Sequence, residues 1–179
     1  MKLLLTSKGI INNSIANALF ELTEKKPKET TVVFIPTASN AEIGDKDWLI
    51  TDLANLKKQN FKSIEITDIS AVDEKIWKPS LERADILFFE GGNTYHLMRW
   101  LNKSGLSEML PDLLKDKVYV GASAGSMVTN PDLVLKFSQL IYEEYMLETE
   151  ELKGLNFVDF YFLPHLNSEE FKKIKRQLP

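Results

Sequence analysis

The chain has no cysteine and only two histidines, His96 and His165, in 179 residues. Without cysteine there is no disulfide framework, no thiolate nucleophile and no cysteine-ligated metal, which fits a reducing compartment. Basic residues are in deficit, 22 against 26 acidic, for a net charge of -4. A surface of that sign argues against nucleic acid as the main partner. No apolar run approaches the roughly 20 residues of a membrane span, so no membrane association is expected. Lys2-Leu3-Leu4-Leu5 is too short for a signal-peptide core and is ended by Thr6, Ser7 and Lys8. The expectation is a cytoplasmic protein. Repeats and low-complexity tracts are also missing. What remains is an ordinary globular composition, 44% hydrophobic and 27% charged. It suits one domain over residues 1–179, large enough to bury a core without cross-links.

Apolar runs with strand character alternate with helical spacing. Leu3–Leu5, Thr31–Ile35, Ser63–Thr67, Asp85–Phe89, Val118–Val120 and Phe157–Leu163 read as strands. Between them, Asn12 or Asn13 can cap a helix carrying Ile15, Ala18, Leu19 and Leu22. Trp48–Lys58, Tyr95–Leu101 and Leu106–Leu114 have helical periodicity, and Gly105 separates the last two. Asp68–Pro79 reads as a connection with one short helix. Thr23–Thr30 and Pro36–Asn40 read as loops, Leu133–Lys153 as a loop with a helical piece, and Ser168–Arg176 as a final helix capped by Ser168. This alternation predicts an α/β fold, a three-layer sandwich with a mostly parallel central sheet. Val32–Ile35 and Ile86–Phe89 are apolar throughout, as strands buried on both faces should be.

The chain turns on Val118–Thr129, where a strand runs into Gly121-Ala122-Ser123-Ala124-Gly125 and then a helix. Strand, Gly-x-Ser-x-Gly and helix in succession describe a nucleophile elbow with Ser123 at its apex. Gly121 and Gly125, two residues either side, are expected to be small so that the strained turn can close. The Ala124 N–H opens the helix and is one expected oxyanion donor, favoured by the helix's positive end. Gly92, in the Gly91-Gly92 turn at another strand end, is the expected second donor. A serine hydroxyl needs a base to take its proton. His165, just past a strand end and after the serine in sequence, is the candidate; His96 is expected on a helix surface or pocket wall. The acids available to orient the histidine are Asp132, Glu143, Glu144 and Asp159, of which Glu144 is preferred. Gly91, Asn93 and Thr94 are expected substrate contacts, although Asn93 and Thr94 can equally cap the following helix.

Four segments together carry a resemblance: Phe34-Ile35-Pro36-Thr37-Ala38-Ser39, Phe89-Glu90-Gly91-Gly92-Asn93-Thr94, Gly121-Ala122-Ser123-Ala124-Gly125-Ser126 and Asp159-Phe160-Tyr161-Phe162-Leu163-Pro164-His165. The chain resembles the dipeptidase E (aspartyl dipeptidase) family of serine peptidases, related to cyanophycinases. The resemblance implies a fold like that of class I glutamine amidotransferases, flavodoxin-like, with serine in place of cysteine at the elbow. It implies hydrolysis of short peptides, for dipeptidase E those with N-terminal aspartate, without metal or cofactor. It also assigns nucleophile to Ser123, base to His165 and oxyanion donors to Gly92 and Ala124. Two departures stand out. Better-known members carry an acid about fifteen positions after the nucleophile, where this chain has Phe137-Ser138-Gln139. The family also continues past its histidine with further strands, so a sheet edge or part of the pocket is expected to be missing, and an unfinished edge would favour pairing of two copies. The same elbow would also suit an esterase or amidase. A relative lacking the orienting acid would bind a small peptide or acidic metabolite without turning it over.

Overall fold

A computed structural model of the chain describes residues 1–133, 153–168 and 171. Five strands, β1 (Lys2–Thr6), β2 (Thr31–Ile35), β3 (Ser63–Ile66), β4 (Ile86–Phe89) and β5 (Val118–Ala122), form one sheet in the order β1-β5-β4-β2-β3. Every pairing is parallel. The helices are α1 (Asn13–Thr23), α2 (Thr37–Asn40), α3 (Asp47–Lys58), α4 (Glu74–Arg83), α5 (Thr94–Lys103), α6 (Leu106–Leu113) and α7 (Ala124–Met127).

The alternation of side chains along each strand builds two cores. Val33, Ile35, Leu87, Phe89 and Tyr119 face α4, α5 and α6, where Trp77, Leu81, Leu97, Leu101 and Leu110 are buried. Val32, Phe34, Ile86, Phe88, Val118 and Val120 face α1 and α3 through Ala16, Leu19 and Leu56. Each face carries a stacked aromatic pair from neighbouring strands, Phe89 on Tyr119 at 4.7 Å and Phe34 on Phe88 at 5.2 Å. The three-layer α/β arrangement is therefore as the residue pattern predicts, with the sheet parallel throughout.

Local differences have local causes. Pro36–Asn40, expected as a loop, contains the one-turn helix α2, because Ser39 N–H and Asn40 N–H both donate to Pro36 O. Thr23–Thr30 contains a 3-10 turn at Pro27–Glu29, where proline occupies a first-turn position that needs no N–H. The short helix expected before Pro79 runs through it as α4: Trp77 and Leu81, both buried, hold the helix on the sheet despite the lost hydrogen bond. Phe157–Leu163 is not a strand. The run pairs with none of the five strands, and Phe160 and Tyr161 are exposed. The segment instead crosses the end of the α7 turn. Leu155 N–H donates to Val128 O and Phe157 N–H to Thr129 O, and Phe157 packs edge-on against Tyr119. Of the expected final helix, the cap is described: Ser168 Oγ accepts from Phe171 N–H.

Strand order decides where a ligand can sit. The chain leaves β1 and β2 on the α1/α3 face, and β4 and β5 on the opposite one. Where neighbouring parallel strands send their connections to opposite faces, a crevice opens at their carboxyl ends. The ends of β1, β5, β4 and β2 meet at this place.

Candidate active site

Ser123 follows β5 with φ 48° and ψ -108°, a conformation that non-glycine residues avoid. The surroundings impose it. Ser123 N–H donates to Thr6 O at 3.0 Å, pinning the elbow to the end of β1. Ser126 Oγ lies 2.8 Å from both Thr6 O and Gly121 O and accepts from Thr6 N–H. The buried Tyr119 hydroxyl donates to Gly125 O. A Cβ on Gly121 would lie 2.6 Å from Gly125 O, and one on Gly125 would strike Phe89 O. Both glycines are therefore demanded by close backbone packing.

His165 is brought to the serine. Its Nε2 lies 2.9 Å from Ser123 Oγ. The approach depends on a loop residue in a left-handed conformation, since His165 has φ 62°, and on Ser168 N–H donating to His165 O. Upstream, buried Asn130 clamps the segment with both ends of its amide: Oδ1 accepts from Phe162 N–H at 2.9 Å and Nδ2 donates to Phe162 O at 3.3 Å. Ser7, in the loop after β1, places its Oγ 3.4 Å from His165 N.

Gly92 sits at φ +126°, and a Cβ there would run into the backbone of Ala38 on α2. Asn93 N–H donates to Ala38 O, which fixes the turn. Among the described residues, neither the Gly92 N–H nor the Ala124 N–H has an intramolecular acceptor. Helix α7 is a single turn, so what the Ala124 N–H can offer an anion is its own hydrogen bond and little macrodipole. Gly91 borders the serine: a Cβ on it would lie 3.1 Å from Ser123 Cβ.

The remaining candidates are placed differently. Asn93 caps α5, its Oδ1 accepting from His96 N–H at 2.8 Å. Thr94 is buried, with its hydroxyl toward Met127 Sδ. Neither lines the cavity beside Ser123. His96 is half-buried on α5, 6.4 Å from Trp100 between ring centres; burial lowers its pKa, against the nearby Asp68 charge. Glu143 and Glu144 lie outside the described residues. Asp132 is exposed and accepts from the Tyr161 hydroxyl, and Asp159 is exposed.

The cavity holds about 490 Å³ and is lined by the loops after β1, β2, β4 and β5 together with His165. It contains residues that the motifs do not point to: Ser7, Lys8, Trp48, Asp52 and Glu90. Glu90 had a signal, a carboxylate directly before a Gly-Gly turn at the end of an apolar strand. Asp52 had none, because it reaches the cavity from the middle of α3. Burial pushes the Asp52 carboxyl up to about 6, opposed by hydrogen bonding to Glu90 and by Lys8. Burial pushes Glu90 well above the usual carboxylate range, and the Asp52 charge adds to it. Beneath the site, burial would raise Asp68, but hydrogen bonds from Ser70, Thr37 and Asn40 outweigh it and hold that carboxyl below its ordinary value.

Proteins similar to this chain in sequence and in fold include peptidases. The uncharacterized peptidase Lmo0363 of Listeria monocytogenes is 29% identical over 165 residues, 89% of this chain and 77% of that protein. Peptidase E of Escherichia coli O6:K15:H31 is 28% identical over 136 residues, covering 74% of this chain and 57% of that protein. A crystal structure of a peptidase E-type protein from Listeria monocytogenes EGD-e matches with a TM-score of 0.80 and 28% identity, over 99% of this chain and 85% of that one. A peptidase from an acI-B1 Actinobacterium, 18% identical, shares the fold with a TM-score of 0.68 over 99% of this chain and 75% of its own. Peptidase family S51 matches residues 3–178, nearly the whole sequence. On that match, and with the same fold carried by a peptidase E-type structure, this chain belongs to peptidase family S51, a family of peptide hydrolases.

Proposed function

We propose that the chain is a serine-type peptidase acting on short peptides, with Ser123 as nucleophile and His165 as base. The observation that carries this reading is the 2.9 Å separation of Ser123 Oγ and His165 Nε2 at a strained elbow. In the reaction, Nε2 takes the Oγ proton as Oγ attacks the scissile carbonyl carbon. Charge developing on the carbonyl oxygen is met by the Gly92 and Ala124 N–H groups. His165 then gives its proton to the leaving amine, and the acyl-enzyme is cleared by water that His165 deprotonates in turn. Nε2 can accept the hydroxyl proton only when the ring carries its own on Nδ1. An acid such as Glu144 at Nδ1 would hold that tautomer, and losing such an acid costs about four orders of magnitude in rate.

The substrate class proposed is a dipeptide with N-terminal aspartate. Support comes from Lys8, the only cation among the described lining residues, which can meet a substrate carboxylate. A second reading, a non-catalytic relative that binds the same ligand, is favoured by the absence of an acid at Phe137-Ser138-Gln139. One experiment separates the two. Wild type should be labelled at Ser123 by a fluorophosphonate and should hydrolyse members of an X-Leu dipeptide panel, and Ser123→Ala should do neither. Undiminished hydrolysis by Ser123→Ala would sink the peptidase reading, and wild type that neither labels nor hydrolyses would favour the binder. Turnover of esters but not peptides would move the assignment to an esterase.

A further inference from the structure

The cavity beside Ser123 is acidic. Glu42, Asp45, Asp52 and Glu90 line it against the single Lys8 among the described residues. Three of these carboxyls reach solvent and need no ligand. Glu90 differs. It is 1% exposed, and its Oε1 accepts the Gly91 N–H at 2.8 Å. Among the described residues, its buried Oε2 accepts no N–H or hydroxyl, and its one side-chain partner is the neighbouring Asp52 carboxyl. Leaving a carboxyl oxygen unsatisfied away from water is costly, and native proteins keep few such groups without a use. Glu90 and Asp52 thus form a hydrogen-bonded carboxyl pair on one wall of the cavity, held together by a shared proton that a cation can replace.

We infer that Glu90 and Asp52 form a subsite for the free α-ammonium group of the substrate's first residue. Distance makes this choice over other cations. In a peptide cleaved after its first residue, the ammonium nitrogen is two bonds from the attacked carbon, about 2.5 Å away by standard backbone dimensions. Its acceptor must therefore adjoin the nucleophile. Glu90 and Asp52 line the same cavity as Ser123, and the residue after Glu90, Gly91, packs against the serine, where a Cβ would stand 3.1 Å from the serine's own. The ammonium of a lysine side chain would lie several bonds further out. An ammonium offers three donors and suits two carboxyls. The empty pair keeps a proton because burial and the Asp52 charge disfavour a second carboxylate. An arriving ammonium neutralises that charge, so the pair gives up its proton to solvent as the ligand binds.

This subsite rests on the reading of Ser123 as nucleophile, and its test keeps the two apart. The inactive full-length Ser123→Ala protein is titrated calorimetrically with Asp-Leu and with N-acetyl-Asp-Leu, in two buffers of different ionisation enthalpy at pH 7. The free dipeptide should bind at least 20-fold more tightly than the acetylated one and should release protons. Glu90→Gln and Asp52→Asn, each added to Ser123→Ala, should reduce that preference below fivefold; the half-exposed Asp52 keeps the test open if the Glu90 variant does not fold. In active protein, acetylation should lower kcat/KM more than 100-fold, chiefly through KM. Equal binding of free and acetylated dipeptide would overturn the subsite while leaving fluorophosphonate labelling of Ser123 untouched. A preference that survives both carboxamide variants would overturn it too. Loss of labelling with the binding preference intact would overturn the nucleophile and leave the subsite standing.

Discussion

At the scale of single residues, the site keeps groups that the fold would be more stable without. Burial pushes the Asp52 carboxyl up to about 6 from an ordinary 3.8 by penalising its charge. A carboxyl whose folded pKa is raised contributes stability that is complete below the unfolded pKa and is lost as pH rises through the folded one. The window here runs from about pH 4 to about pH 6. Asp52→Asn should therefore stabilise the protein at pH 8, by on the order of 1 kcal/mol once solvent screening of a half-exposed group is allowed for. At pH 4 it should give almost nothing. Chemical denaturation of both proteins at the two pH values measures this, and equal gains at both would refute it. If Asp52 binds substrate, the same variant should lose affinity as it gains stability, the usual direction of that trade.

At the scale of elements, His165 is delivered by an irregular segment held by side-chain and turn hydrogen bonds. Asn130, 3% exposed, supplies both hydrogen bonds to Phe162. Removing them frees the backbone three residues before His165. Asn130→Ala should lower kcat about 10- to 100-fold with little change in KM, because positioning rather than substrate binding is lost. The loss of a buried amide that makes two hydrogen bonds should cost about 1–3 kcal/mol of stability. Fluorophosphonate labelling should slow in proportion to kcat while the far-UV circular dichroism stays unchanged. A KM effect without a kcat effect would contradict the role given to this clamp.

At the scale of the whole molecule, the sheet separates what stabilises from what reacts. The α6 face is remote from the cavity, and Leu110 there is fully buried. Leu110→Ala should cost 2–5 kcal/mol, the usual range for opening a cavity in a packed core. At a temperature where it remains folded, kcat/KM should stay within about twofold of wild type. Thermal unfolding with parallel assays checks both. A large loss of activity in the folded variant would mean that the layers are coupled through the sheet.

The strands were legible because burial on both faces leaves continuous apolar runs, as in Val32–Ile35 and Ile86–Phe89, and because a parallel sheet requires intervening helices. The elbow was legible because its constraint is local: Gly121 and Gly125 must be small where backbone meets backbone. The Phe157–Leu163 run misled because aromatic content reports strand character without saying what the backbone pairs with, here Thr129 and the Asn130 side chain rather than a strand. Asn93 and Thr94 belong to a helix start rather than the cavity, two roles that look alike in a strand-end loop.

The sequence by itself determined the alternating architecture and the turn that carries Ser123, since each depends on neighbours a few residues away, and it narrowed the search for a base to His96 and His165 by composition alone. The tertiary structure alone decided that His165 reaches Ser123 at 2.9 Å and that Asp52 on α3 and Glu90 after β4 share one cavity wall. Those partners lie 38 to 42 positions apart in the chain. Only strand order brings them together, and strand order is set by how whole layers pack, which no short stretch of residues encodes.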